Sequence, residues 1–139
     1  MKWDDTLAAF EKDVESRDFW DWMRAHTSWM KPLHRYEGTL ELKGDKLIFF
    51  GEDAKEDGRI DLEIPLENIE NVHLGFDETF RRREDRQIGL FGFAPLRIDY
   101  LTEGEEKKLY LFADFGRFPI RNAENGEVQK KLTELLDEF

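Results

Sequence analysis

From Gly38 onward the chain alternates apolar and polar residues. Leu40 and Leu42 are interleaved with Thr39 and Glu41, and the turn Lys43-Gly44-Asp45-Lys46 follows. Leu47-Ile48-Phe49-Phe50 is apolar at every position, which predicts a hairpin partner covered on both faces. After the polar loop at 52–59, Ile60, Leu62, Ile64 and Leu66 fall on one face, with Asp61 and Glu63 on the other. A period of two is what a half-solvated strand requires. Pro65 sits near the end of this strand, where a missing ladder donor is tolerable. Leu66-Glu67-Asn68-Ile69 reads as a short turn into a strand with Val72, Leu74 and Phe76 inward. Leu96, Ile98 and Tyr100 alternate with Arg97 and Asp99, and the turn at 103–106 leads into a last strand at 107–114.

The two ends read differently. Trp3, Leu7, Phe10 and Val14 recur at i, i+4, i+7 and i+11, one face of a helix that Asp4 or Asp5 can cap. A second periodic set, Phe19, Trp22, Met23 and His26, starts after Asp18, and Pro32 ends the region. At the other end Val128, Leu132, Leu135, Leu136 and Phe139 form a helical stripe, with Glu127, Lys130, Lys131 and Glu134 outward. Asn122 or Asn125 is placed to cap it. The expectation is an α+β domain: an antiparallel barrel or sandwich of six to seven strands, a C-terminal capping helix and an N-terminal helical extension. The extension spans 1–35 and the sheet-bearing domain 36–139.

The 139 residues fit one domain. With no cysteine, disulfides, thiolate metal sites and thiol nucleophiles are excluded. No apolar run approaches the roughly 20 residues of a membrane span, and the acidic start is unlike a signal peptide, so a cytoplasmic location is expected. A net charge of −11 argues against nucleic acid and leaves weak or no contact with anionic lipid.

That charge is uneven. Arg81, Arg82, Arg83, Arg86 and Arg97 face only Glu84 and Asp85 across 81–97, a local +3. Guanidinium forks match phosphates and carboxylates. With Phe91 and Phe93 nearby, Arg81, Arg82, Arg83 and Arg86 are candidates for binding an anion or an acidic partner; neutralising nearby carboxylates is the plainer use. All four tryptophans lie in the first 29 residues. Trp20, Trp22 and Trp29 are candidate partner-facing aromatics if they do not simply pack on the sheet.

Gly89-Leu90-Phe91-Gly92 lacks the spacing of a phosphate-binding loop. His26, His34 and His73 form no metal motif and read as surface or helix-packing residues. Ser16 and Ser28 lack a nucleophile context. Carboxylates are so abundant that a pair such as Glu63 and Asp99 carries little weight. No catalytic residue, metal or cofactor is expected.

The order of N-terminal helix, antiparallel strands, variable loop, closing hairpin and C-terminal helix, with the phrase Ile64-Pro65-Leu66-Glu67-Asn68-Ile69-Glu70-Asn71-Val72, resembles the pleckstrin-homology-like superfold. Within it the chain is similar to GRAM-type and bacterial members over about residues 36–139. The resemblance implies a non-enzymatic binding module for proteins, lipids or phosphorylated ligands. Phosphoinositide-binding members carry a basic first loop, whereas Lys43-Gly44-Asp45-Lys46 is followed by acidic sequence, so that activity is not implied. The expected function is recognition of a protein partner, or of a second copy, through the tryptophan-rich extension or the arginine loop. The alternative is a barrel that binds a small ligand or anionic lipid.

Overall fold

The computed structural model describes residues 1–15, 34–54, 56–75, 77–79, 95–113 and 125–137. Seven strands form one antiparallel sheet: β1 (Lys2–Phe10), β2 (Tyr36–Lys43), β3 (Lys46–Asp53), β4 (Arg59–Pro65), β5 (Ile69–Leu74), β6 (Leu96–Thr102) and β7 (Glu105–Phe112). Their order is β4-β3-β2-β1-β7-β6-β5. A short helix α1 (Glu11–Glu15) follows β1, and α2 (Asn125–Leu136) follows β7. The 3-10 turn Leu66–Asn68 joins β4 to β5, which are the two edges, so among the described residues the sheet is not closed.

The predicted alternation sets the core. Leu40, Leu47, Phe49, Ile64 and Leu66 from one half of the sheet share one apolar cluster with Leu96, Ile98, Leu109 and Leu111 from the other. Val128 and Leu132 of α2 enter the same cluster, and Leu135 and Leu136 pack against it, as the helical stripe requires. Two tight turns hold the hairpins. Gly44 takes φ 62° at the start of the β2–β3 turn, and Glu103 and Gly104 take φ 51° and 79° between β6 and β7. Positive φ at the first central residue of the β2–β3 turn, and at both central residues of the β6–β7 turn, matches the right-handed twist of the flanking strands.

Several expectations are corrected. The helix expected from Trp3 to Val14 is a strand over residues 2–10, paired with β2 and β7; only Glu11–Glu15, which includes Val14, is helical. Trp3 and Ala8 face the main core, while Leu7 and Ala9 lie on the other face beside Phe112 and Tyr110, also buried. Burial on both faces leaves no two-residue alternation to read. A register shift between Trp3 and Thr6, with Asp5 at φ 51°, breaks the pattern further. Thr6 Oγ1 donates to the Trp3 carbonyl oxygen at 3.0 Å across this bulge.

In β3 only one face is fully covered: Leu47 and Phe49 are buried, Ile48 is half-buried and Phe50 is exposed. Leu74, expected inward, is exposed at the end of β5. The second N-terminal periodic set, Phe19, Trp22, Met23 and His26, lies outside the described residues.

Candidate functional site

Two charged clusters tie the sheet together. Arg35, just before β2, donates Nε and Nη2 to the two carboxylate oxygens of Asp53, both at 2.8 Å. Its Nη1 lies 3.6 Å from Asp13, and its guanidinium rests 5.8 Å from the centre of the Tyr36 ring. The Asp53 bonds, chiefly, raise the Arg35 pKa. Asp13 also accepts from the Phe10 N–H at 2.9 Å, so α1, β2 and β3 meet at one fork.

The second cluster lies on the face of β6 and β7 opposite the main core. Arg97 Nη1 donates to Asp77 at 3.0 Å and Nη2 to Asp99 at 3.2 Å, while Tyr110 donates its hydroxyl to Asp77 at 2.8 Å. Arg97 Nε and Asp99 Oδ1 are 2.9 Å apart but poorly aligned, so this contact is an ion pair without a directed hydrogen bond. Burial opposes the Arg97 charge, and the two carboxylates outweigh it, leaving its pKa raised. Arg97 and Asp99, expected as solvated alternates, are structural. Arg97 and Tyr110 share the Asp77 carboxylate, an arrangement that suits holding the Asp77 segment on the sheet.

An opening in the surface lies elsewhere. A groove of about 430 Å³ runs between β4 and the β6–β7 hairpin. One wall is Leu62, Glu63 and Pro65 of β4 with Asn68 of the 3-10 turn; the other is Tyr100, Leu101, Thr102 and Glu103 with Glu106, Lys107 and Lys108. Phe10, Glu11 and Lys12 close one end. The floor is apolar, because Phe10, Leu62 and Tyr100 belong to or pack on the core, and burial raises the Tyr100 pKa. The rim is charged: Lys108 lies 3.6 Å from Glu11, and Glu63 lies 3.5 Å from Lys46. An apolar floor within a charged rim suits an amphipathic side chain or segment.

Glu63 and Asp99 have separate partners: Glu63 lies beside Lys46, and Asp99 is held by Arg97 and by Asn71 Nδ2 at 3.4 Å. His34 is a buried residue just before β2, with Nε2 2.9 Å from Glu37 Oε1, rather than a surface or helix-packing one. Among the described residues no three His, Asp or Glu side chains converge in a metal-holding arrangement. No helix among them is long and apolar enough to cross a membrane. The candidate residues Arg81, Arg82, Arg83, Arg86, Phe91 and Phe93 lie outside the described residues, as do Trp20, Trp22 and Trp29.

Sequence reasoning missed the groove because it depends on which strands are edges. Pro65 was the available signal, since proline marks positions where a strand has no partner to bond. No family model, curated protein or solved structure matches the chain.

Proposed function

We propose that this protein is a non-enzymatic recognition module of the pleckstrin-homology-like type, acting on a protein partner. The strand order β4-β3-β2-β1-β7-β6-β5 followed by a C-terminal helix supports the class. The observation that carries the function is the contrast between interior and surface. Leu40, Leu47, Phe49, Ile64, Leu66, Ile98 and Leu111 are almost wholly buried in a shared core, while the groove along β4 opens outward. A carrier needs its space inside; a module needs it at the surface. The tryptophan-rich segment and the arginine run remain part of this reading as further contact surfaces.

Photo-crosslinking in cells tests it. A crosslinking amino acid at Leu101, which is exposed and lines the groove, is expected to yield a discrete protein adduct. The same group at Glu41, which faces away from the core on β2, is expected to give none. Adducts confined to lipid or small molecules overturn the proposal.

A further inference from the structure

The partner's chemistry follows from which main-chain groups β4 leaves open. At one end of the β3–β4 pair the Asp53 N–H donates to the Gly58 carbonyl at 3.0 Å; at the other the Leu66 N–H donates to the Asp45 carbonyl at 2.8 Å. The register between them is unbroken. Antiparallel strands alternate the side to which their N–H and C=O groups point. Ile60, Leu62 and Ile64 therefore bond inward to β3, and Asp61 and Glu63 point theirs to the open edge. Pro65 also points outward but has no N–H, which ends the usable stretch. The other edge, β5, has α2 packed against it.

We propose that the β4 edge binds an extended peptide whose side chains alternate basic and apolar. This inference rests on the recognition reading above and names the partner's chemistry. An added strand would take hydrogen bonds from both donors and both acceptors of Asp61 and Glu63. Its side chains would alternate faces. Those on the core side meet the groove floor at Leu62 and Tyr100 and must be apolar. Those on the outer side meet the exposed carboxylates of Asp61 and Glu63 and must be basic. A second copy pairing through its own β4 with Leu62 opposite Leu62 would place Asp61 opposite Glu63, like charge against like charge, and that register is disfavoured.

The test is selection of a display library of random linear peptides on the full chain. Enriched peptides are expected to alternate Lys or Arg with apolar β-formers and to lack proline within that stretch. The double variant Asp61→Lys/Glu63→Lys, checked for an unchanged melting profile, is expected to bind them about tenfold or more weakly and to select acidic peptides instead. The amides of Asp61 and Glu63 are expected to gain exchange protection on binding. Patternless or acidic enrichment on the native chain, no enrichment, or indifference to the double variant overturns the inference. If a protein adduct still forms at Leu101 in that event, the recognition reading stands and only the edge proposal falls; loss of both removes both.

Discussion

The Tyr110 hydroxyl and the Asp77 carboxylate are joined at 2.8 Å, although Tyr110 lies on β7 and Asp77 on the segment after β5. The same carboxylate oxygen accepts from Arg97 on β6. One oxygen thus ties a connecting segment to two neighbouring strands. Tyr110→Phe removes a bond from a largely buried charged group and is expected to cost about 1–3 kcal/mol in urea unfolding. Asp77→Ala is expected to cost more than Tyr110→Phe, because the hydroxyl and one arm of Arg97 then lose their shared acceptor together. A change for both variants within error of zero shows the pairing to be incidental.

Alkaline titration gives a second check. Burial raises the pKa of Tyr36, Tyr100 and Tyr110, which are all the tyrosines of the chain, and the Asp77 bond raises Tyr110 further. In the unfolded chain these phenols ionise near about 10. Above that pH the unfolded state releases protons that the folded state keeps, so stability is full below it and falls as pH rises toward the folded values. Phenolate absorbance is expected to appear late and together with unfolding. Three phenols titrating normally in a folded protein rule this out.

Gly38 and Gly51 face each other across β2 and β3. A β-carbon on Gly51 would meet the Glu37 carbonyl oxygen at 2.5 Å, and one on Gly38 would collide with the Phe50 carbonyl. Backbone cannot rotate away as a side-chain tip can. Gly38→Ala and Gly51→Ala are each expected to destabilise by about 1–3 kcal/mol or more, measured by thermal melting. The open-turn variant Gly44→Ala tests positive φ alone, because nothing lies within 4 Å of its added carbon.

Asn125 anchors α2 to the sheet. Its Oδ1 accepts from the Ala113 N–H at 2.8 Å and its Nδ2 donates to the Leu111 carbonyl at 3.1 Å. Asn125→Ala strands both buried groups at the end of β7, an expected loss of about 2–4 kcal/mol. Hydrogen exchange at the Ala113 amide should speed up by more than the global change in stability accounts for. Leu132→Ala, which opens a cavity in the core, is expected to cost about 2–5 kcal/mol without that local signature.

The strands with one wet face were legible in sequence. Leu40 and Leu42, and Ile60 through Leu66, alternate because water meets one side of the sheet, while Leu96, Ile98 and Tyr100 alternate with the ion-paired Arg97 and Asp99; the apolar members of each set are found facing the core. The helical stripe of Val128 and Leu132 was legible for the same reason at a different period. Trp3 to Phe10 was not. Its neighbours β2 and β7 come from later in the chain, both its faces are covered, and Ala8-Ala9 suits a helix locally. Tertiary contact overrode local preference there. The groove and the Arg97–Asp77–Tyr110 cluster were hidden too, since both depend on which strands become neighbours.

The position of β1 also shapes how the molecule must be made. Leu7 bonds to a strand containing Phe112, so synthesis of one side of the central ladder precedes its complement by most of the chain. While the ribosome extends the intervening sequence, β1 can pair only with β2, and its other edge stays unmatched. Such distant pairing raises the contact order and slows folding. Until β7 emerges, that unmatched edge is a template for pairing with another chain.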